Sequence, residues 1–267
     1  MTRQIRAKKS LGQNFLHDAS VIESIVGAIG INATDTVIEI GPGTGALTET
    51  LVKTGAKVVA IEFDRELVPL LTQQFRFDEN FSLVNTDALN VDFASIVGKP
   101  EGVKLIANLP YNISTPILQR LIEQRHIFST LVLMFQREVV ERIVAKPATK
   151  ERGYLSVIAQ TAFEIEYLFD VPPDSFRPVP KVWSSVIRLT PKAAFGGDEG
   201  IFRKVVSQSF AQKRKTILNN LKGIYDAGGS MLDSAGIDGK RRAESLTLDE
   251  WAALTAAIKK GASETPR

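Results

Sequence analysis

Short apolar runs alternate with stretches of helical periodicity through the first two thirds of the chain. Five of these runs are mostly apolar on both faces, as strands are in a parallel sheet that helices cover. They are Thr36–Ile40, Lys57–Ile61, Phe81–Val84, Val103–Ala107 and Leu131–Phe135. Helices are predicted between them, among others over Ala46–Lys53, Arg65–Phe75 and Thr115–Gln124, the last capped by Ser114. The alternation predicts an α/β fold with a doubly wound sheet.

The pattern changes after residue 153. A helix is predicted over Tyr154–Phe163, followed by two strands, Glu164–Phe169 and Ser184–Leu189, whose Pro-rich connection suits one edge of the sheet. The Gly- and Ala-rich stretch Pro191–Gly200 is typical of a linker. Beyond it, helical periodicity covers Ile201–Lys222, Ser230–Ala235 and Thr247–Lys259. We therefore expect one domain over residues 1–195 and a small all-helical domain over residues 196–267.

Composition removes several classes of protein and of site. Of the 267 residues, 44% are hydrophobic and 24% are charged, which argues against disordered and fibrous classes. The chain has no apolar stretch as long as a membrane span and no signal-peptide pattern, so we expect a cytoplasmic protein without membrane contact. Cysteine is absent and only His17 and His126 supply imidazoles. Thiol nucleophiles, a zinc site and a serine–histidine triad are therefore disfavoured, and we expect no metal.

The distribution of charge is more informative than the net charge of +3. Two basic segments lack acidic residues: one precedes Asp18, and the other spans Ile201–Tyr225. Such segments suit a polyanionic partner, because each neutralised phosphate releases condensed counterions. Solvated basic faces are the alternative, and these segments alone do not separate the two.

A glycine-rich stretch follows the first predicted strand and opens a helix. It reads Glu39-Ile-Gly-Pro-Gly-Thr-Gly45, and its glycines allow a sharp turn close to a ligand. The spacing differs from the G-x-G-x-x-G dinucleotide fingerprint, and an acid precedes the glycines. A pyrophosphate loop favours negative charge. Glu39 instead suits a ligand with positive charge, such as the sulfonium and ammonium of S-adenosylmethionine.

Two further carboxylates are predicted at strand ends. Glu62 ends the second strand, where a Rossmann-type sheet places a carboxylate on ribose hydroxyls. Asp87 lies just past the third strand, where it could accept from an adenine amine. Each alone fits a helix cap or a loop-stabilising carboxylate as well or better. Together with Glu39, in order and at strand ends, they favour a nucleoside cofactor.

The fourth predicted strand runs into Asn108-Leu-Pro-Tyr111. Pro110 fixes one φ angle and biases Leu109 toward extended geometry, so the turn is stiff. The Asn108 side-chain oxygen and the Leu109 carbonyl can then point into one cavity beside the Tyr111 ring. Two acceptors and a flat aromatic face suit the exocyclic amine of adenine. By themselves, these four residues also fit an ordinary strand-to-helix turn, which is common. Behind the glycine loop and the two acids, they favour a catalytic site.

The lone pair of that amine is delocalised into the purine ring. Two acceptors on its protons favour a more pyramidal nitrogen, which can attack the sulfonium methyl in line. The proton becomes acidic once the nitrogen is alkylated, so no strong general base is required. Catalysis would consist mostly of positioning and electrostatics. Tyr111 would stack on a target base that has been unstacked from its neighbours.

Several segments together carry a resemblance to a known family over nearly the full chain. They are Ser10–Leu16, Glu39–Gly45, Glu62, Asp87, Asn108–Ser114, Val179–Val182 and Phe210–Thr216. The chain resembles the small-subunit ribosomal RNA adenine dimethyltransferases. The Gln-Asn-Phe segment and the Asn-Leu-Pro-Tyr turn are shared with the 23S rRNA adenine methyltransferases of macrolide resistance. The longer Asn108–Ser114 string and the late basic motif are similar to the small-subunit branch.

The resemblance implies a Rossmann-like class I methyltransferase sheet followed by a small helical domain, with residues 1–17 a flexible segment that contacts cofactor and RNA. It implies S-adenosylmethionine as cofactor, S-adenosylhomocysteine as product and no metal. The implied cofactor contacts are Asn14, Leu16, Gly41, Gly43, Glu62, Asp87 and Asn108. The implied catalytic residues are Asn108, Leu109, Pro110, Tyr111 and Phe176. Phe176 would sandwich the flipped base, although from the sequence alone it fits the core equally well.

The implied substrate is a pair of adjacent adenosines in the 3′-terminal hairpin loop of small-subunit (16S) ribosomal RNA, each dimethylated at N6. The implied partner is an assembling 30S-type particle, bound by a monomer. Lys213, Arg214 and Lys215 would hold RNA phosphates. One departure is Lys213, where the resemblance leads us to expect arginine in the basic motif. This keeps the charge and changes the donor geometry.

Two other classes of function stay open at this point. The first is a non-catalytic ribosome-assembly or RNA-binding factor that retains the fold, against which the intact Asn108–Tyr111 turn argues. The second is a large-subunit RNA methylase or a DNA adenine methylase, although the DNA enzymes more often carry Pro-Pro-Tyr after the Asp or Asn. We expect Trp183 and Trp251 to be core residues.

Overall fold

The computed structural model of the chain describes residues 7–98, 102–193, 195–222 and 228–264. Its main element is a seven-stranded sheet of order β4-β3-β2-β5-β6-β9-β7, beside a two-stranded ribbon of β1 and β8. The strands are β1 Phe15–Leu16, β2 Thr36–Ile40, β3 Lys57–Glu62, β4 Phe81–Asn85, β5 Val103–Asn108, β6 Phe128–Gln136, β7 Phe163–Val171, β8 Phe176–Arg177 and β9 Ser184–Pro191. Each predicted strand is present, so the predicted α/β fold is confirmed.

Helices connect the strands and cover the sheet. They are α1 Ala19–Ile29, α2 Ala46–Val52, α3 Val68–Gln74, α4 Phe93–Val97, α5 Ser114–Glu123, α6 Arg137–Ile143, α7 Tyr154–Ala162, α8 Glu199–Ser209, α9 Ile217–Leu221, α10 Gly228–Ser234 and α11 Leu248–Glu264. In the described part of the chain, no helix is long and apolar enough to cross a membrane. The described residues also contain no cluster of three or more His, Asp or Glu side chains able to hold a metal ion.

The central strands are parallel, and their registers bring their carboxyl ends together. Ile40 pairs with Ile61 of β3 on one side and with Ala107 of β5 on the other. The residues that follow β2, β3 and β5 therefore meet at one edge of the sheet, where doubly wound folds bind ligands. The strands themselves are buried on both faces: Val37 and Ile38 are both 0% exposed. This explains why they read as continuous apolar runs.

The last two strands close one side of the sheet, as predicted. β9 runs antiparallel to β6, with Met134 opposite Val186 and Gln136 opposite Ser184. β7 follows as the edge strand. The loop before β9 does not bury all its apolar residues: Trp183 is 46% exposed, so its predicted core position is wrong. Trp251 is fully buried, as expected.

The N-terminal segment, defined here as residues 7–17, is joined to the Pro-rich region. Phe15 pairs with Arg177 and Leu16 with Phe176 in the antiparallel ribbon. The amide of His17 donates to the carbonyl of Ser175 at 3.0 Å. In the structure, residues 15–17 are therefore fixed by main-chain hydrogen bonds. Residues 1–6 of the predicted flexible segment lie outside the described residues.

The chain divides into two compact units, residues 1–140 with 164–191, and residues 141–163 with 192–267. These units differ from the predicted domains, because residues 141–163 group with residues 192–267. Arg152 shows the reason: its side chain is 2% exposed and donates to the carbonyls of Ala145 at 2.7 Å and Leu246 at 3.4 Å. A buried guanidinium requires such acceptors.

Two predicted helix boundaries are wrong. Ser114 is the first residue of α5 rather than its cap, and its hydroxyl donates to the carbonyl of Tyr111 at 3.0 Å. The helix predicted over Ile201–Lys222 is interrupted at residues 210–216. Asn220 stabilises the interruption, because its Nδ2 donates to the carbonyls of Ser209 at 2.7 Å and Gln212 at 3.2 Å.

Candidate active site

Two adjoining cavities lie at the carboxyl edge of the sheet and share Gly41, Glu62 and Pro110 in their walls. The first, of about 70 Å³, is bordered by the N-terminal segment, the glycine loop and Asn108–Tyr111. The second, of about 200 Å³, is bordered by Asp87 and by apolar side chains. The structure therefore brings the predicted glycines, acids and turn together.

The glycine loop has the backbone conformation that its sequence predicts. Gly41, Gly43 and Gly45 have φ angles of 70°, 60° and 85°, a region that disfavours other residues. A Cβ on Gly43 would lie 3.0 Å from the Phe15 ring. The loop therefore needs glycine for its turn and for its contact with the N-terminal segment.

Glu39 is buried in the wall of the first cavity. It is 1% exposed, and its Oε2 accepts from the Thr48 hydroxyl at 2.6 Å. Burial raises the pKa of Glu39 to about 7, although the Thr48 hydrogen bond opposes the shift, and the nearby Glu62 adds to it. A cation placed beside a carboxylate buried in this way would favour its charged form.

Glu62 borders both cavities at the end of β3. Its Oε1 accepts from the Asp64 amide at 2.7 Å, and its Oε2 accepts from the Gly43 amide at 3.3 Å. Burial raises the pKa of Glu62, even though these amide hydrogen bonds favour the charged form. The two amides fix the direction of the carboxylate, whose remaining lone pairs can accept from two hydroxyls.

Asp87 has a structural role as well as a place in the wall of the second cavity. Its Oδ1 accepts from the Leu89 amide at 2.9 Å and caps the short helix Ala88–Asn90. Its Oδ2 has a longer contact, 3.4 Å, with Nδ2 of Asn90. The cap holds Asp87 toward the cavity, and Oδ2 is the oxygen more available to a ligand.

The turn after β5 sets the Asn108 amide. Nδ2 of Asn108 donates to the main-chain carbonyl of Asn14 at 3.2 Å. Because the nitrogen is used in this way, Oδ1 is left as the acceptor, and no described residue donates to it. The Leu109 side chain is 1% exposed, its amide donates to the Met134 carbonyl at 3.3 Å, and Pro110 has φ −56°. The turn is therefore held at Asn108 by the N-terminal segment and at Leu109 by β6.

Tyr111 is half-buried at the mouth of the first cavity. Its hydroxyl lies 3.0 Å from the hydroxyl of Ser184, which is 1% exposed. Burial raises the pKa of Tyr111, while the hydrogen bond with Ser184 opposes the shift. The phenol is therefore neutral at ordinary pH, and the hydrogen bond fixes the direction of the ring.

The predicted stacking role of Phe176 does not fit this conformation. Its side chain is 0% exposed and lies in the core cluster with Leu16, Val171 and Val186. The cause is the β1–β8 pairing, which sets Phe176 opposite Leu16. Leu16 itself borders the first cavity, but its side chain is also in the core, 4% exposed.

The predicted RNA-binding residues lie in the second unit. Lys213, Arg214 and Lys215 are all exposed in the loop between α8 and α9. Nζ of Lys213 donates to the Lys150 carbonyl at 2.7 Å. Within the described part of the chain, none of the three forms an ion pair with an acid. Their charge is therefore available to a polyanion.

The sequence reasoning missed several residues of the site. Asp64 accepts from Lys8 and Gln13, and no local pattern pairs residues so far apart. Phe63 is 57% exposed and borders the second cavity. An aromatic residue between two acids at a strand end could have indicated this contact.

The residues present fit S-adenosylmethionine. Gly41 and Gly43 line the first cavity without side chains, so the backbone of the glycine loop borders it. Glu39 supplies a buried carboxylate for a cation, and Glu62 supplies oriented acceptors for a ribose. Phe63 offers a flat apolar face for a purine. These groups match the charged, hydroxylated and aromatic parts of the cofactor.

Solved structures with the same fold include two transferases of similar length. A dimethyladenosine transferase from Plasmodium falciparum superposes with a TM-score of 0.81 at 25% identity, covering 93% of this chain and 98% of that one. The 23S rRNA methyltransferase ErmE superposes with a TM-score of 0.69 at 26% identity, covering 92% of this chain and 100% of that one. The predicted class I methyltransferase fold is confirmed.

Sequence comparison gives closer relatives. A protein named ribosomal RNA small subunit methyltransferase A from Geobacter sulfurreducens is 45% identical over 261 residues, 94% of this chain and 95% of its own. A protein of that name from Pseudomonas fluorescens is 40% identical over 266 residues, 98% of this chain and 97% of its own. The ribosomal RNA adenine dimethylase family matches residues 4–260. The chain therefore belongs to the ribosomal RNA adenine dimethylase family.

Proposed function

We propose that the chain transfers methyl groups from S-adenosylmethionine to N6 of adenosines in small-subunit ribosomal RNA. One observation carries this proposal: the Asn108 amide is held by Asn14 with its oxygen left as an acceptor, beside a cavity that Glu39 and Glu62 line. Family membership and the similar proteins named as small-subunit methyltransferases support the choice of substrate.

Residues from both cavities would hold the cofactor. Glu62 would accept from the ribose hydroxyls, and Asp87 would accept from the adenine amine through Oδ2. The other proposed contacts are Asn14, Leu16, Gly41, Gly43 and Asn108. The bound cofactor supplies a methyl group on a positively charged sulfur, and S-adenosylhomocysteine is the product. Glu39 would stabilise the positive charge of the ligand before transfer.

The Asn108–Tyr111 turn would activate the target amine. Oδ1 of Asn108 and the carbonyl of Leu109 would each accept one amine proton, which favours a pyramidal nitrogen with a localised lone pair. Tyr111 would stack on the base, and its hydrogen bond with Ser184 limits the orientations of the ring. Pre-oriented acceptors of this kind lower the barrier without moving during the reaction.

No strong base is needed for this reaction. Each transfer would form an N6–CH₃ bond as the bond from the methyl group to the cofactor sulfur breaks, and the alkylated nitrogen would then lose a proton that has become acidic. Oδ1 of Asn108 already holds that proton and can direct it toward solvent. Two successive transfers on one nitrogen give N6,N6-dimethyladenosine. In the second transfer N6 carries one proton, so a single acceptor would hold it while the base keeps its position.

The substrate is proposed to be a pair of adjacent adenosines in the 3′-terminal hairpin loop, within an assembling 30S-type particle and bound by one copy of the chain. A loop suits this site because unpaired bases are less costly to unstack. Lys213, Arg214 and Lys215 would contact phosphates in the second unit. Their exposed charge is typical of positioning contacts, which carry no sequence information.

The test compares substrates side by side. Small subunits that lack the modification, naked small-subunit RNA and large subunits are each incubated with cofactor, and their nucleosides are analysed by mass spectrometry. We expect dimethyladenosine in small-subunit RNA from the particle and not in the large subunit. Transfer to large-subunit RNA alone, or to no RNA, would contradict the proposal.

A further inference from the structure

Asp64 lies two residues beyond Glu62 and holds the N-terminal segment. It is 5% exposed, and both its oxygens accept from that segment. Nζ of Lys8 donates to Oδ1 at 2.6 Å, and Nε2 of Gln13 donates to Oδ2 at 2.9 Å. Burial alone would raise the pKa of Asp64, but the Lys8 and Gln13 hydrogen bonds hold it below its usual value. The carboxylate is therefore charged and fully engaged.

The backbone of the same residue contacts the cofactor side of the site. The Asp64 amide donates to Oε1 of Glu62 at 2.7 Å, and Oε2 of Glu62 accepts from the Gly43 amide at 3.3 Å. A short chain of hydrogen bonds thus runs from the glycine loop through Glu62 to Asp64. The shorter of the two, between the Asp64 amide and Glu62, has the length of the stronger charge-assisted hydrogen bonds in proteins.

The N-terminal segment links Asp64 to Asn108, the proposed acceptor for the target amine. The Lys8 amide donates to Oε1 of Gln13 at 2.8 Å, which closes residues 8–13 into a compact loop. The next residue, Asn14, gives its carbonyl to Nδ2 of Asn108 at 3.2 Å. A carbonyl oxygen only accepts, so it pairs with Nδ2 of Asn108 and not with Oδ1, and with the segment in place the Asn108 amide has one preferred orientation.

We propose that Asp64 is a positioning residue, which holds the N-terminal segment so that the Asn14 carbonyl fixes the Asn108 amide. This inference rests on the proposed function, in which Oδ1 of Asn108 accepts from the target amine. Loss of the Asp64 contacts releases Gln13 and Lys8, and Asn14 then no longer selects between the two orientations of the Asn108 side chain.

The main test variant is Asp64→Asn, which keeps the shape of the side chain and removes its charge. The Asp64 amide, and with it the contact to Glu62, stays. We expect faster hydrogen exchange in residues 8–16 without any ligand. At saturating cofactor and small subunits, we expect a single-turnover rate about tenfold lower, in line with a lost charge-assisted hydrogen bond. Lys8→Met should give the same changes to a smaller extent, because Gln13 still reaches Asp64.

Asp35→Asn is the matched control. Asp35 forms a similar pair with Lys104, at 2.7 Å and with side chains 17% and 14% exposed, at the amino ends of β2 and β5. It tests whether loss of a half-buried ion pair slows transfer by destabilising the sheet. We expect Asp35→Asn to lower the thermal midpoint as much as Asp64→Asn does, with the wild-type transfer rate.

Each arm of the experiment has a contradicting outcome. Wild-type exchange in residues 8–16 of Asp64→Asn would overturn the anchoring role. Faster exchange with a wild-type rate at saturation would overturn the link to Asn108, as would an equal rate loss in Asp35→Asn. A wild-type chain that methylates no RNA contradicts the proposed function instead, and the exchange measurement, made without RNA, still decides whether Asp64 anchors the segment.

Discussion

The side-chain amide of Asn108 donates to the main-chain carbonyl of Asn14 across 3.2 Å, joining two positions 94 residues apart. This contact commits the amide nitrogen to the protein and leaves the oxygen for a ligand. Because the acceptor is a backbone carbonyl, the contact depends on where the N-terminal segment lies and not on the identity of residue 14. The orientation of a proposed catalytic group is thus set by a segment outside the main sheet.

Glu62→Ala should weaken cofactor binding. The substitution removes a carboxylate that two amides orient toward the cavity, and with it the proposed hydrogen bonds to the ribose. Hydrogen bonds to charged groups contribute roughly 1.5–3 kcal/mol, so we expect about a tenfold to hundredfold higher Kd. Calorimetry with S-adenosylhomocysteine measures it, with Glu49→Ala, an exposed carboxylate of α2, as control. An unchanged Kd would rule out the contact of Glu62 with cofactor.

Glu39→Gln should change how stability depends on pH. The pKa of Glu39 is raised to about 7 in the folded chain, so the carboxyl stabilises the fold while it is protonated. That contribution is full below the unfolded pKa near 4.5 and is lost as pH rises through about 7. Relative to wild type, the variant should gain up to about 3 kcal/mol between pH 5 and pH 8. Urea unfolding at both values measures it, and a constant difference would contradict the buried, protonated carboxyl.

Tyr111→Ala and Tyr111→Phe should differ strongly. Alanine removes the aromatic face, and base stacking on a ring contributes about 1–3 kcal/mol, so transfer should fall by about tenfold to hundredfold. Phenylalanine removes only the hydrogen bond with Ser184 and should lose a few-fold at most. Single-turnover rates separate the two, with Ser184→Ala as a second test of the hydrogen bond. Equal losses in both Tyr111 variants would assign the role to the hydroxyl and not to the ring.

Neutralising the loop of the second unit should flatten the salt dependence of RNA binding. Each phosphate contact contributes about 0.7–0.9 to the slope of log K against log salt. Arg214→Gln should therefore reduce the slope by about one. Changing Lys213, Arg214 and Lys215 together to Gln should reduce it by about two to three. Lys240→Gln, an exposed cation elsewhere in that unit, is the control. A wild-type slope in the triple variant would indicate a solvated loop.

The features that the sequence predicted well are local ones. The strands Thr36–Ile40 and Val103–Asn108 are apolar runs, and burial on both faces leaves that periodicity in the sequence. The positions of Glu62 and Asp87 follow directly, since any residue that ends a parallel strand reaches the ligand-binding edge. The glycine loop was predictable for the same reason: its turn is determined within a few residues.

The features that escaped prediction depend on contacts between distant residues. Asp64 and Gln13 are 51 positions apart, and the local sequence around either residue does not predict their hydrogen bond. The burial of Phe176 follows from strand pairing with Leu16, which the short apolar pair Phe15–Leu16 does not reveal. The break in the helix predicted over Ile201–Lys222 depends on Asn220, whose side chain replaces helical hydrogen bonds with loop contacts.

The most direct test of the central claim is the nucleoside composition of small-subunit RNA after reaction with Asn108→Ala. The variant lacks the acceptor oxygen but keeps Glu62, Tyr111 and the basic loop, so binding of the particle should stay within a few-fold of wild type. The reaction is run at saturating cofactor, because Asn108 is also a proposed cofactor contact. We predict that mass spectrometry finds dimethyladenosine with the wild-type chain and essentially none with the variant. Dimethyladenosine formed at the wild-type rate by Asn108→Ala would contradict the account.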